Sequence, residues 1–312
     1  CPIENIYVVT SKLYGELVEQ DLPECKKENI LCEPVRRNTA PCIAYAMAKI
    51  EKRCEDALVL VMPSDHLIVD KENFVSRIFQ GFRLARREQV LICLGIKAAY
   101  PNTGYGYIQY NMDVCSQDDC GIKKVKLFTE KPAYEMACSF VESGDFLWNA
   151  GIFIWSLQAI KAAFVKFLPE ITDVILKGRE LLDTDQEEAF VEEAYSICPS
   201  ISIDYGIMEK ADNVYVIPSD FGWSDIGTWG ALYNVMNKDE NGNSVVGKNV
   251  MLYDCTNCLI NVPKDRLLVA QGLDDYIIVE SEGVVMMCKK GEEQRIKQFT
   301  TDVEIEKGNE YI

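Results

Sequence analysis

The sequence predicts an α/β fold, a sheet layered with helices, followed by a small domain of β structure. Three observations point there. Short β-branched runs alternate with amphipathic helical stretches over the first two thirds of the 312 residues. The run Ala57 to Met62 (ALVLVM) is apolar without a break, as a strand covered on both faces requires. Beyond Asn241 the alternation stops, and an Asn-Gly-Asn turn opens a series of closely spaced β-rich segments.

Taken in order, Asn5 to Thr10 (NIYVVT) is a strand and Ser11 to Gln20 its helix. Ile30 to Glu33 is a short strand. Thr39 to Cys54 carries apolar residues at helical spacing behind an Asn38 or Thr39 cap, with Pro41 in the first turn. Ala57 to Met62 is expected at the centre of a largely parallel sheet. Phe74 to Arg87 is a helix, Val90 to Gly95 a strand, and Tyr100 to Tyr107 (YPNTGYGY) a turn-rich loop. Strands follow at Ile122 to Phe128, Gly151 to Trp155 and Val214 to Ile217, with helices at Ala133 to Val141 and Leu157 to Leu168. Val245 to Tyr253, Cys258 to Val262, Leu267 to Ala270, Tyr276 to Glu280 and Val284 to Cys288 make the second domain, closed by a helix near Glu292 to Phe299. The domain boundary is placed between residues 238 and 239, with 239–312 a small β-rich, β-helix-like unit.

Thirty-two Lys and Arg against 49 Asp and Glu leave a net charge of -17, which repels nucleic acid and anionic membranes. No run approaches the roughly 20 apolar residues of a membrane span, and no basic-then-apolar targeting pattern opens the sequence, so a cytoplasmic protein is expected. The 13 cysteines are an odd number and sit in apolar runs, as Cys93 and Cys138 do, which favours free thiols. Cys255 and Cys258 form a lone CxxC, short of the four ligands of a structural zinc site.

Ligands of open α/β sheets gather beyond the carboxyl ends of the strands, so polar residues just after apolar runs carry the interest. Pro63-Ser64-Asp65-His66 follows ALVLVM. Asp65 there either holds a divalent cation, since Mg²⁺ prefers carboxylate oxygen, or caps the next turn. His66 is the chain's one histidine and reads as structural. In Trp223-Ser224-Asp225-Ile226-Gly227-Thr228-Trp229, Asp225 either shares that cation or N-caps the helix behind it; the two tryptophans read as packing residues. Glu33-Pro34-Val35-Arg36-Arg37-Asn38-Thr39 leads into a helix amino terminus that favours an anion, with Arg37 either on phosphate or in solvent. Tyr105-Gly106-Tyr107, Glu130-Lys131-Pro132 and Trp148-Asn149-Ala150-Gly151 supply group types that bind sugar hydroxyls and a sugar phosphate, and equally suit a glycine loop, an exposed ion pair and a tight turn.

In sequence order these clusters resemble the mannose-1-phosphate guanylyltransferases, a branch of the sugar-nucleotide pyrophosphorylases. The matching stretches are EPVRRNTAPCIAYA, VMPSDH, NTGYGYIQ, FTEKP, FLWNAGIFIW, SIDYGIMEK and FGWSDIGTW, across about three quarters of the chain. The resemblance implies a Rossmann-like nucleotidyltransferase sheet and transfer of GMP from GTP to mannose-1-phosphate, giving GDP-mannose and pyrophosphate without a covalent intermediate. It further implies that Asp65 and Asp225 hold Mg²⁺ and that Glu33, Arg37, Asn38, Thr39, Pro63 and Ser64 lie near the nucleotide. Gly106, Glu130, Lys131, Asn149 and Gly151 would grip the mannose-1-phosphate, with Asp65, Asp225 and Lys131 catalytic. A homodimer is the expected assembly.

The family's glycine-rich phosphate loop has no match here. The expectation is that a further amino-terminal βα unit belongs to the native protein. Bifunctional relatives add a cupin-like isomerase domain; with one histidine these residues offer no such metal site, and no isomerase activity is expected. Two other readings stand beside the first: another sugar-1-phosphate nucleotidyltransferase, and a non-catalytic homologue that binds nucleotide sugar.

Overall fold

A computed structural model describes residues 1–116 and 119–311, which divide into two compact units: residues 1–64 with 68–116 and 119–223, and residues 65–67 with 224–311.

In the first unit, β1 (Val8–Ser11) leads into α1 (Gly15–Asp21) and pairs in parallel with β2 (Ile30–Glu33), Val8 opposite Ile30. After α2 (Thr39–Arg53) come β3 (Leu58–Val61), α3 (Lys71–Arg87), β4 (Leu91–Lys97) and a hairpin of β5 (Tyr107–Ser116) and β6 (Asp119–Thr129). Then follow α4 (Tyr134–Ser143), β7 (Phe146–Ser156), α5 (Leu157–Phe167), α6 (Glu187–Ile197) and β8 (Val214–Ser219). Six strands form one sheet in the order β3-β7-β4-β8-β6-β5.

The sheet is mixed, where a largely parallel one was expected. β4 and β8 are parallel, but β7 runs antiparallel between β3 and β4, and β6 antiparallel to β8. An unbroken apolar run reports that both faces are covered, and that is equally true of a strand inserted in either direction. β3 also lies at the sheet's edge, not its centre. In the run Ala57 to Met62 itself only Val59 is buried, Ala57 and Val61 packing partly on one core and Leu58 and Leu60 on the other, with Met62 exposed. Full coverage of both faces is found on β4, where Leu91 and Cys93 enter one core with Ile43 and Met47 of α2, while Ile92 and Leu94 enter another with Ile78 and Leu84 of α3. Period-two alternation thus buries one short strand on both sides.

The start of α2 departs from the expected cap. Asn38 occupies the cap position with φ 61°, yet its side chain donates to Ser200 Oγ at 2.8 Å, and Thr39 Oγ1 accepts from the Ile203 amide at 2.8 Å. The segment behind α6 therefore holds the helix start. Farther along α2, buried Lys49 donates to Glu187 Oε2 at 2.8 Å and also contacts Asp183; the Tyr45 hydroxyl donates to the same glutamate at 2.7 Å.

In the second unit, α7 (Trp229–Val235) precedes parallel rungs β9 (Ser244–Val246), β11 (Leu259–Asn261) and β13 (Tyr276–Ser281), with β14 (Val284–Lys289) antiparallel at the end. β10 (Asn249–Tyr253) and β12 (Leu267–Gln271) form a second parallel ladder. The expected strand Val245 to Tyr253 is two strands. They break at Gly247, φ 151°, where a Cβ would lie 2.7 Å from Val262 Cγ2. Trp229, Leu232 and Tyr233 pack on Leu259 and Ile277, so α7 belongs to this unit although it precedes the Asn241 turn. The closing helix, α8 (Ile296–Lys307), starts after a 3-10 turn at Lys290–Arg295 and runs past Phe299.

Among the described residues eleven cysteines are free thiols; Cys255 and Cys258 are buried and donate to the Tyr253 and Thr256 carbonyls. No helix of the described residues is long and apolar enough to cross a membrane.

Candidate active site

The fold gathers the expected residues into three groups. The first forms where β5, β6 and β7 meet at one end of the sheet. Gly106 and Asn149 are joined by the Asn149 amide, which donates to the Gly106 carbonyl at 2.8 Å. Asn149 Oδ1 accepts from the Gly151 amide at 3.0 Å, which Gly151 permits by taking φ 67°. Glu130 and Lys131 follow β6 directly. The Lys131 amide donates to the Tyr105 carbonyl at 3.2 Å, and this residue holds φ 47°, a left-handed conformation that a lysine adopts only when its surroundings impose it.

Glu130 is the electrostatic centre of this group. Its side chain is 11% exposed, Oε1 lies 3.4 Å from Lys131 Nζ, and Oε2 is buried without a hydrogen-bond partner. Burial, and then the charge of Asp204, pushes its carboxyl up to about 7, against the pull of Lys131. A buried carboxyl oxygen lacking a partner is costly unless a ligand donor meets it.

Three residues not singled out from the sequence complete this group, all within the stretch SIDYGIMEK. Asp204 Oδ1 accepts from Asn149 Nδ2 at 2.8 Å, and burial raises the Asp204 carboxyl. The Tyr205 hydroxyl donates to the Glu130 carbonyl at 3.3 Å, and Glu209 Oε1 accepts from the Glu130 amide at 3.0 Å. The one signal available was an acidic residue set between apolar neighbours.

The second group lies on the loop from β2 to α2. Glu33 accepts from the Tyr195 hydroxyl at 2.9 Å, and burial raises its carboxyl. Arg37 is neither free in solvent nor aimed outward: Nε donates to the Tyr195 carbonyl at 2.9 Å and Nη2 to the Ser196 carbonyl at 3.1 Å, closing the carboxyl end of α6. With Asn38 and Thr39 held by Ser200 and Ile203, the whole loop is fastened to residues 195–203. Pro63, half-buried, and Ser64, exposed, lie beyond β3, and no contact joins them to this loop among the described hydrogen bonds.

The third group is in the second unit. Asp65 has an 82% exposed side chain, with Oδ1 3.9 Å from His66 Nε2. Both Asp65 and Asp225 bear electrostatically on His66, but burial outweighs them and lowers the imidazole's pKa, favouring its neutral form. Asp225 does not cap the helix behind it. Thr228 does, its Oγ1 accepting from the Ala231 amide at 3.1 Å, while Asp225 Oδ1 accepts from the Gly227 amide at 3.1 Å. What links the two carboxylates is their common effect on His66; among the described residues no cluster of three or more His, Cys, Asp or Glu is arranged for a metal. Two carboxylates suit Mg²⁺, which completes its shell with phosphate and water oxygens.

Trp223 packs edge-on against Tyr105, which in turn meets Trp148, at centroid distances of 5.4 and 5.1 Å. Tyr105 and Trp148 belong to a small buried cluster with Tyr107 and Phe146, and Trp223 packs against it.

Residues 2–242 match the family model described as nucleotidyl transferase. The chain belongs to this family. It is 34% identical over 295 residues to the alginate biosynthesis protein AlgA of Pseudomonas putida, covering 94% of this chain and 60% of that protein. It is also 34% identical over 310 residues to a mannose-1-phosphate guanylyltransferase of Salmonella montevideo, covering 98% of this chain and 64% of the relative. The chain thus spans about three fifths of the length of the curated relatives it matches. Among solved structures, one from Thermus thermophilus described as a mannose-1-phosphate geranyltransferase superposes with a TM-score of 0.79 at 26% identity, over 97% of this chain and 85% of that one. The mixed α/β nucleotidyltransferase fold followed by carboxyl-terminal strand ladders agrees with that structure.

Proposed function

We propose that this nucleotidyl transferase forms GDP-mannose and pyrophosphate from GTP and mannose-1-phosphate. The observation that carries the reading is the convergence of Gly106, Glu130, Lys131 and Asn149 around one buried, unpartnered carboxyl oxygen. A sugar hydroxyl meets that oxygen, and the exposed ammonium of Lys131 meets the sugar phosphate. The names of the relatives supply the choice of mannose and guanine.

In this reading a phosphate oxygen of mannose-1-phosphate attacks the α-phosphorus of GTP in line. A new phosphorus–oxygen bond forms, the bond to the bridging oxygen breaks, and pyrophosphate leaves with the electron pair. Lys131 orients the attacking phosphate and offsets its charge. Glu130 and Asn149 fix the sugar, so that most of the barrier reduction is positioning. Glu33, Arg37, Asn38, Thr39, Pro63 and Ser64 are assigned to the nucleotide side. Arg37 serves there by holding the loop on α6, since two of its N–H groups are already committed to carbonyls. Asp65 and Asp225 would hold Mg²⁺, which neutralises phosphate charge when bound. A homodimer in the cytoplasm completes the reading, in keeping with the free thiols.

The test is product formation from mannose-1-phosphate with each of GTP, ATP, UTP and CTP. GDP-mannose from GTP alone supports the reading. Turnover with a different base keeps the chemistry and overturns the specificity; binding of nucleotide sugar without any turnover overturns the enzyme assignment.

A further inference from the structure

Asp204 is the most deeply placed carboxyl of the sugar group, and nothing in the reaction as described uses it. It lies just behind residues 200–203, which hold the α2 loop, in a one-turn π-helical segment, Asp204–Met208. One oxygen accepts from Asn149 Nδ2, and because Asn149 Oδ1 is engaged by the Gly151 amide, the amide group cannot flip. Its charge also falls on Glu130, whose other charged neighbours are Lys131 on the same loop and Glu209 at the end of the same π-helical segment. Resting on the function proposed above, we infer that Asp204 is a positioning residue of the sugar subsite. By fixing the orientation of Asn149, it makes the subsite present a directed N–H donor, beside the Glu130 carboxyl, to adjacent sugar hydroxyls.

The chemistry follows from the groups. Asn149 keeps one N–H free of its two bonds, directed by Asp204. Glu130, its carboxyl held up by burial and by the Asp204 charge, adds its unpartnered Oε2 as the second polar contact for a hydroxyl. Removing the Asp204 charge takes away the second-largest influence holding Glu130 up, and Glu130 then ionises at lower pH.

The experiment is a carboxyl ¹³C titration of the full chain without substrate, the Glu130 signal assigned by Glu130→Gln, together with calorimetric binding of mannose-1-phosphate and of GTP. In Asp204→Asn the Glu130 midpoint is expected to fall by at least about half a pH unit. Affinity for mannose-1-phosphate should drop about tenfold, and GTP affinity stay within about twofold. A lowered melting temperature with an unmoved Glu130 midpoint would mean a purely structural role and overturns the inference. Should Asp204→Asn fail to fold, Asp204→Ser removes the charge while keeping an acceptor. If that fails too, the wild-type spectrum decides: Glu130 and Asp204 titrating as an interacting pair supports the inference, and independent titration at ordinary carboxylate values overturns it. Because the titration needs no substrate, a protein inactive with every nucleotide but showing the shifted Glu130 removes the reaction and not the coupling.

Discussion

A Cβ on Gly106 would lie 2.3 Å from Glu130 Oε2 and 3.2 Å from Asn149 Cβ. The glycine is therefore a condition of the pocket: its missing side chain is the space in which the Glu130 carboxyl sits. Gly106→Ala should displace that carboxyl and raise the KM for mannose-1-phosphate about tenfold or more, with the KM for nucleotide little changed. Steady-state kinetics with each substrate varied in turn would show the split. Equal losses for both substrates would mean a general disturbance.

Glu130 also carries a stability cost whose sign is fixed. Its folded pKa, about 7, lies above the ordinary carboxyl value of 4.5, so between these the folded state binds more protons and stability falls as pH rises. The cost is absent below about pH 4 and complete above pH 7, where it reaches on the order of 3 kcal/mol. Glu130→Gln should accordingly be more stable than wild type in urea at pH 8 and indistinguishable from it at pH 4. The same variant should lose sugar-phosphate affinity.

Lys49 makes the opposite case, a buried cation with two carboxylates. Its side chain is 4% exposed, and it joins α2 to Glu187 and Asp183. Lys49→Met leaves the half-buried Glu187 without a counter-charge, while Asp183 keeps Lys52 at 3.8 Å, and a loss of about 3 kcal/mol in denaturant unfolding is expected. Lys49→Met combined with Glu187→Leu should recover much of it. An additive double variant would contradict the ion-pair account.

Tyr195→Phe removes the hydroxyl that donates to Glu33 at 2.9 Å. The glutamate is already raised by burial and would rise further without its donor. A stability loss of about 1 to 3 kcal/mol is expected at pH 7. It should shrink on acidification, as Glu33 becomes protonated in both proteins.

The alternation of strands and helices was legible because runs such as LICL at 91–94 bury every residue, while α2 and α3 carry their apolar residues at helical spacing. Strand direction was not, since Phe146–Ser156 is buried on both faces and would look the same inserted either way. The edge position of β3 was hidden for a related reason: burial of faces leaves no record of hydrogen-bond neighbours. In the site, Gly106, Glu130 and Asn149 stood out as polar or small residues after apolar runs. Asp204 did not, because its role comes from Asn149, 55 positions earlier, and that pairing exists only once the strands are assembled. The anchoring of Arg37 was hidden for the same reason. An arginine before a helix start suggests an anion, yet the carbonyls it meets belong to α6, about 160 residues away in sequence.

The central claim is nucleotidyl transfer assisted by a cation held on Asp65 and Asp225. Its most direct test is pyrophosphate release from GTP and mannose-1-phosphate across a Mg²⁺ titration, in wild type, Asp65→Ala and Asp225→Ala, with folding checked by circular dichroism. The account predicts Mg²⁺-dependent release in wild type and a loss of at least about a hundredfold in both folded variants. Undiminished release in either variant would contradict it.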